Sequence, residues 1–328
     1  MMALTKMKFG VVAIGRNEGQ RLKICLASLS AACATIYVDS GSSDGSVELA
    51  RNAGADVVAL KMTLPFTAAR ARNTGFRRLR QRVKNIEYVQ FIDSDCEMIA
   101  SWPEQAISFL DRNPGVAAVT GRRRERFPSR SVYNWLCDLE WNTPPGEARS
   151  FGGDVMIRAI ALDEVGGYRE DMIAGEEPEL CVRLRGANWK IWRLDAEMTL
   201  HDAAMTRFSQ WWRRGLRAGY AFGLGSFLHG QAPEYHKVRE TRRAWVWGLW
   251  LPLVCVASSM VFGPWGTLLF CLYPVQVLRL VFTRQGRLAD RAKVAFFQTL
   301  ARFPEVTGEI LFLRDRIFRQ KRRLIEYK

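Results

Sequence analysis

No C-x-x-C pair occurs in the sequence, and its seven cysteines, at 25, 33, 96, 137, 181, 255 and 271, are odd in number and scattered. That pattern supports neither a disulfide framework nor a cysteine zinc site, and it fits a reducing compartment. A cleavable signal peptide is not expected, because Phe9-Gly-Val-Val-Ala-Ile14 is short and apolar and reads as a first strand. Internal repeats and low-complexity tracts are missing as well. Gly15-Arg-Asn-Glu-Gly19, which follows that strand, is not a glycine-rich phosphate loop, which counts against a sugar nucleotidyltransferase on a similar sheet. Charge itself is nearly missing from Ala244 to Thr283, where Arg279 stands alone.

What surrounds that gap is basic. Residues 241–328 carry 15 Lys and Arg against 5 Asp and Glu, so +10 of the chain's net +15 lies in its last quarter. A basic balance alone could signal nucleic acid. Basic charge beside a long apolar run points instead to anionic lipid headgroups, and no nucleic-acid partner is expected. The uncharged stretch has room for two helices of about 18–19 residues, each near the ~30 Å hydrocarbon thickness of a bilayer. Phe262-Gly-Pro-Trp-Gly266 supplies the break between them. Arg239, Arg242 and Arg243 precede the pair, and Arg284, Arg287, Arg291 and Lys293 follow it. The positive-inside rule then puts both flanks in the cytosol with a tight hairpin between. Pro252, Pro264 and Pro274 keep a re-entrant or interfacial hairpin open beside a spanning one, and a soluble core pair is the third reading. The expected organisation is an α/β domain at 1–240 on the cytoplasmic side of the membrane, a membrane hairpin at 241–284 and a basic amphipathic tail at 285–328.

Strand and helix signals alternate through the first part of the chain, which implies parallel strands joined by crossovers. Strands are expected at Phe9–Gly15, Thr35–Asp39, Asp56–Leu60 and Tyr88–Ile92, and helices at Glu18–Ala32, Val47–Asn52 and Ala68–Val83. Arg122–Ser150, rich in Arg and Pro, reads as loops over a site. Polar residues gather where three strands end: Asn17 and Glu18 after the first, Asp39 after the second, Asp93 and Asp95 after the fourth. Any one of them could simply close a turn. Three strand ends agreeing favours a ligand, because open parallel sheets bind ligands beyond the carboxyl ends of their strands.

Phe91-Ile-Asp-Ser-Asp95 is the sharpest piece. Residues two apart on an extended chain point the same way, so both carboxylates can face one ligand. Two hard oxygen donors suit Mg²⁺ or Mn²⁺, which keep open positions for phosphate oxygens and neutralise the charge of a departing diphosphate.

The order of motifs resembles glycosyltransferase family 2, inverting enzymes with the GT-A fold. Arg16-Asn-Glu18, Val38-Asp-Ser-Gly-Ser-Ser-Asp-Gly45, Ala71-Arg-Asn-Thr-Gly75 and Asp93-Ser-Asp95 are similar to its donor half. Gly152-Gly-Asp154, Val165-Gly-Gly-Tyr168 and Gly175-Glu-Glu-Pro-Glu-Leu180 are similar to its acceptor half, so the resemblance spans roughly residues 8–215. It implies a mostly parallel, Rossmann-like sheet flanked by helices, a divalent cation, a nucleotide-sugar donor (a UDP-sugar favoured over a GDP-sugar) and a lipid-linked saccharide acceptor at a membrane. Asp39 would recognise the nucleotide base, with Asn17 beside it, and Glu18 would line the nucleoside pocket. Arg72 would approach the phosphates, Asp93 and Asp95 would bind nucleotide and metal, and Asp154 would hold the donor sugar. For Asn73 and Gly75, helix-surface and packing roles are the alternative.

The resemblance also calls for a carboxylate base near the acceptor hydroxyl. Glu177 stands where the family usually has Asp, one methylene longer, so Glu176 stays open as the base. Pro178 fits a first helical position, with the helix running Glu179–Arg185 and its amino-end dipole keeping Glu177 ionised. The alternative is that Glu176, Glu177 and Glu179 are first-turn acids that stabilise a helix. His201 follows a strand-like Ile191–Leu200 and would touch the metal or diphosphate, or else pack. Gln210-Trp-Trp-Arg-Arg214 is similar to the Q-x-x-R-W signature of processive members but has Arg214 where Trp is expected, which argues against a long-chain synthase. Trp211 and Trp212 would stack on a sugar or anchor at the bilayer interface. Transfer to a polyprenyl phosphate competes with transfer to a polyprenyl-linked glycan. A membrane-tethered basic binding module without catalysis is the rival of another class; it leaves the acid series unexplained.

Overall fold

The structure, a computed structural model, describes residues 9–319. The chain divides into two compact units, residues 1–206 and 207–328. The helix Phe208–His229, which the sequence reading assigned to the α/β domain, belongs to the second unit.

The first unit runs β1 (Phe9–Gly15), α1 (Gln20–Ala27), β2 (Thr35–Asp39), α2 (Ser46–Asn52), β3 (Asp56–Ala59), α3 (Ala68–Arg82) and β4 (Tyr88–Asp93). There follow β5 (Cys96–Met98), α4 (Trp102–Arg112), β6 (Val116–Glu125), α5 (Val132–Glu140), β7 (Gly146–Glu147) and β8 (Val155–Arg158). It closes with α6 (Ala159–Glu164), α7 (Glu176–Gly186) and β9 (Lys190–His201). The strands form one sheet in the order β3-β2-β1-β4-β8-β6-β9-β5, with β7 beside β9. Along β1, Val12 and Ile14 enter the core on one face of the sheet while Phe9, Val11 and Ala13 enter the core on the other. Helices cover both faces, which is why the central strands are apolar throughout rather than alternating. Gly75 lets α3 lie close on that sheet: a Cβ there would stand 2.3 Å from Val12.

The sheet is mixed but mostly parallel, as expected: β1, β2, β3, β4, β6 and β9 run one way and β5, β7 and β8 the other. β1–β2, β1–β4, β2–β3 and β6–β9 pair in parallel, and β4–β8, β6–β8, β5–β9 and β7–β9 antiparallel. β8 starts beside the carboxyl end of β4, with Phe91 opposite Val155, so the chain can only run back along its neighbour. Residues 122–150, expected as loops, include the end of β6, all of α5 and β7. Ser131 caps α5 by accepting the Asn134 N–H at 3.0 Å, a start signal hidden within an Arg-rich stretch. α7 begins at Glu176, three residues before the expected start, because Gly175 takes a left-handed turn (φ 80°) into it and leaves Pro178 still within the first turn.

The second unit is helical: α8 (Phe208–His229), α9 (Val238–Phe262), α10 (Pro264–Phe282), α11 (Leu288–Leu300) and α12 (Arg302–Ile317). α8 and α12 approach backbone to backbone; a Cβ at Gly219 would lie 1.8 Å from the Glu305 carbonyl oxygen. Within α9, Val246–Trp250 forms a π turn. α9 and α10 are long and apolar enough to cross a membrane, and most of their apolar residues are exposed. Trp211 is buried against Phe208 and Phe297 rather than presented to a ligand. The expected tail falls partly on α11 and α12; Lys321, Arg322 and Arg323 lie outside the described residues.

Candidate active site

Sheet register assembles the acidic constellation. Gly15 pairs with Asp39 and Ile14 with Asp93, so three strand ends stand level. Asp154, immediately before β8, accepts the Asp93 backbone N–H at 3.0 Å. On the far side, Cys96 pairs with His201, and His201 with Glu125.

Arg72 is the hub. Its guanidinium is 2% exposed and lies 3.0 Å from Asp93 through Nη2, and 3.0 Å from both Glu176 and Glu177 through Nη1. The Tyr168 ring stands 5.4 Å from it, braced edge-on by Phe91. One cation therefore ties the end of β4 to the start of α7. Burial works against that charge, but Glu177 and Asp93 outweigh it and hold the guanidinium more firmly protonated than usual. Gly153 leaves room for the pairing, since a Cβ there would stand 2.5 Å from Asp93 Oδ2.

The two candidate bases differ in access. The Glu176 side chain is 3% exposed and that of Glu177 16%, so an acceptor hydroxyl can reach Glu177 more readily. Glu177 is not kept ionised by the helix start, as the sequence reading expected. Burial, reinforced by the charge of Glu176, raises its carboxyl to about 7, with Arg72 opposing. Desolvation outweighs the dipole, worth only about 0.3–1 kcal/mol at an exposed helix end. A base poised near neutrality suits proton abstraction.

Asp95 and His201 converge. His201 Nε2 stands 3.3 Å from Asp95 Oδ2, its Nδ1 3.7 Å from Glu125 Oε2, and its ring edge-on to Trp141 at 4.7 Å between centroids. Burial, with the nearby Arg123 charge, lowers the imidazole below its ordinary range and so keeps it neutral, as a metal ligand must be. Ligand atoms of Asp95, Cys96 and His201 lie within 4.8 Å of one another, a donor set that would fit a divalent cation through carboxylate and imidazole. Burial pushes the Cys96 thiol well up, which leaves it the weak member. Glu125 also accepts the N–H groups of Phe127 and Ala203, each at 3.0 Å, and so stands fixed behind the imidazole. Asp93 does not join this cluster. Its two oxygens face Arg72 and Arg123, the latter at 3.3 Å.

The remaining expected residues are held by their neighbours. Asp39 Oδ2 accepts the N–H groups of Gly41 (2.9 Å) and Ser42 (3.0 Å), closing its own turn. Asn17, with φ 56°, accepts the Ser43 N–H at 2.8 Å, and Glu18 pairs with Arg21 at 2.7 Å. Asp154 is 1% exposed, with Thr199 Oγ1 donating to it at 2.7 Å and Arg123 Nε 3.3 Å away, so it braces the strand ends from within the sheet. Asn73 brackets the loop before α7: its amide donates to the Tyr168 carbonyl at 2.7 Å and its oxygen accepts the Tyr168 N–H at 2.8 Å. Sequence reasoning missed Arg123 and Glu125. They lie two apart at the end of β6, the spacing that singled out Asp93 and Asp95, within a run that reads as surface charge.

Residues 11–154 match the model of glycosyl transferase family 2, a span that holds Asp39, Arg72, Asp93, Asp95 and Asp154 but ends before Glu176, Glu177 and His201. A curated relative from Arabidopsis thaliana, probable glucomannan 4-beta-mannosyltransferase 15, is 28% identical over 119 residues; the match takes in 33% of this chain and 22% of that protein. This chain therefore matches about a fifth of the curated relative's length. The solved mannosyltransferase PcManGT from Pyrobaculum calidifontis, in complex with GDP-Man and Mn²⁺, superposes with a TM-score of 0.65 and 17% identity, over 94% of this chain and 87% of that one. At that identity the likeness is one of fold. Sequence, register and these matches agree on a fold of the GT-A kind and on a likeness to glycosyl transferase family 2 over residues 11–154.

Proposed function

We propose that this glycosyltransferase moves a sugar, with inversion, from a nucleoside-diphosphate sugar onto a lipid-linked or membrane-proximal saccharide. The observation that carries the reading is Arg72, 3.0 Å from each of Asp93, Glu176 and Glu177, which couples donor-side and acceptor-side carboxylates through one buried charge. Asp93 and Arg72 would position the nucleotide and its phosphates. Glu177 would take the acceptor proton as the hydroxyl oxygen attacks the anomeric carbon; the bond to the diphosphate breaks in the same step, so the configuration inverts. A divalent cation at Asp95 and His201 would neutralise charge on the departing diphosphate. PcManGT, bound to GDP-Man and Mn²⁺, supports both a nucleotide-sugar donor and a metal, and makes GDP-mannose a donor to set beside the UDP-sugars.

The membrane part of the reading is supported by the two apolar helices and their basic flanks. It puts the first unit on the cytoplasmic face, with the acceptor held by its lipid on the same surface. The test is to incubate the full chain in lipid with GDP-mannose or a panel of UDP-sugars, and a polyprenyl phosphate or a polyprenyl-diphosphate saccharide. Nucleotide release and lipid-linked product are followed together. Release with no lipid-linked product from any acceptor would remove the lipid-linked reading and leave the donor chemistry standing.

A further inference from the structure

In the second unit, a cavity of about 420 Å³ opens at the start of α9, lined by Tyr235, Val238, Arg239, Arg242, Arg243 and Trp247 among others. The three arginines follow helical spacing, so consecutive turns aim them at one face. Among the described residues none of the three makes an ion pair or a side-chain hydrogen bond. Glu240, on the same helix, is engaged by Lys237 at 3.4 Å. These like charges repel one another, with Arg302 and Arg279 adding to the field at Arg243 and Glu240 only partly offsetting it, and the cluster is relieved when an anion enters it.

Two further features shape the cavity for one kind of anion. Tyr235 (φ 45°) and Lys237 (φ 58°) hold left-handed conformations that such residues rarely adopt, and the turn they make brings Tyr235 into the cavity lining. Immediately below the arginines α9 becomes apolar and exposed, through Val246 (47%), Trp250 (56%), Leu253 (49%) and Val254 (54%). A small inorganic ion would use only the upper, charged end. A phosphate ester with a hydrocarbon chain would use both.

We propose that this cavity binds the phosphate headgroup of an anionic membrane lipid. Arg239, Arg242 and Arg243 would hold the phosphate oxygens through their planar forks. Trp247 would lie at the glycerol level, and the acyl chains would run along the apolar part of α9. Nothing in the glycosyl-transfer chemistry requires such a site. It does rest on the membrane reading given above, and the test separates the two.

The full chain, purified in detergent, is titrated with dioctanoyl phosphatidic acid, dioctanoyl phosphatidylcholine and inorganic phosphate, with binding read by calorimetry. Phosphatidic acid should bind at least about tenfold tighter than either alternative. The triple variant Arg239→Gln/Arg242→Gln/Arg243→Gln should lose about tenfold or more, while Arg284→Gln/Arg287→Gln/Arg291→Gln, which removes equal charge at the other end of the hairpin, should lose less than about threefold. If the triple variant melts differently from the parent, the single exposed change Arg242→Gln is read instead, with a loss of about threefold expected. Undiminished binding by the arginine variants, an equal loss in the control, or inorganic phosphate binding as tightly as the lipid would each overturn the proposal. Insertion into phosphatidylcholine vesicles without headgroup preference would overturn it and spare the membrane reading. Arginine-dependent lipid binding without insertion would do the reverse.

Discussion

The two units handle charge in opposite ways. In the first, Arg72, Asp93, Arg123, Asp154, Glu176 and Glu177 face one another across distances of 3.0–3.3 Å, several of them nearly buried. In the second, Arg239, Arg242 and Arg243 line an open cavity without ion pairs among the described residues, beside helices whose apolar side chains are largely exposed. A closed network of that kind is pre-organised for a small, charged ligand, since its members are fixed before the ligand arrives. An open one is organised for a surface that supplies what the protein lacks. The contrast predicts that single changes in the first unit act steeply and on chemistry, whereas single changes in the second act weakly and on location.

Asp95→Ala offers the largest effect with which to break that contrast. Loss of one donor at a developing charge costs about 10²–10³ in kcat. Removing the carboxylate nearest His201 is expected to reach the upper end of that range, and chelation by EDTA should reproduce it with recovery on adding Mn²⁺. Nucleotide release unchanged in excess EDTA would remove the metal from the reaction.

Glu177→Gln comes next. It keeps size and hydrogen bonding but cannot accept a proton, so kcat should fall by about 10² while donor binding persists. Glu176→Gln should cost less, and the reverse order would identify Glu176 as the base. The raised Glu177 carboxyl gives a second readout. Its protonated form persists to a higher pH than an ordinary carboxylate, so kcat/KM should climb with one proton lost through about 7 and level off above it. A profile flat from pH 5 to 9 would contradict the assignment.

Glu125→Gln sharpens the comparison further, because its carboxylate stands 3.7 Å from His201 Nδ1 and would act on a cation at Asp95 and His201 only through that ring. Loss of a partner that orients a ligating histidine costs about 10–100-fold in metal affinity or activity. Mn²⁺ affinity, measured by the loss of the free-ion electron paramagnetic resonance signal, should fall within that range. A KM for the donor that moves while Mn²⁺ affinity does not would assign Glu125 to nucleotide binding instead.

Most of the first unit was legible because its signals are local. β2 was read at its observed bounds, Thr35–Asp39, from a short apolar run closed by turn formers. Asp93 and Asp95 were found because a strand alternates its side chains. Their separation into an arginine-bound carboxylate and a histidine-facing one was not legible, since it depends on Arg123 and His201, which other strands bring up from 30 and 106 residues away. The antiparallel β8 was hidden for the same reason: the three apolar residues Val155, Met156 and Ile157 carry no mark of direction. The environment of Glu177 was misjudged because helix position is local, whereas burial beside Glu176 and Arg72 is a property of the assembled fold. In the second unit composition sufficed for the apolar helices, but the arginine cavity needed the turn at Tyr235–Lys237 that no periodicity announces.

The smallest expected effect is a refusal to respond. If α9 and α10 cross or enter the bilayer, raising salt should leave the full chain in the membrane fraction, and detergent should release it. At about 1 M salt the Debye length falls to about 3 Å, so attraction between basic side chains and anionic headgroups is nearly removed. Each Lys or Arg near such a surface contributes only about 1 kcal/mol to begin with. Were charge the main tether, the +10 borne by residues 241–328 would be screened away and the protein would appear in the supernatant. Burial of apolar surface is not weakened by salt, and at about 25 cal/mol per Å² the exposed side chains of two such helices exceed what screening can remove. Substituting Arg239, Arg242 and Arg243 should likewise leave the protein in the pellet while altering which lipids copurify with it. Release by salt alone would turn the second unit into a charge-held peripheral surface and make its arginines, rather than its apolar helices, the anchor.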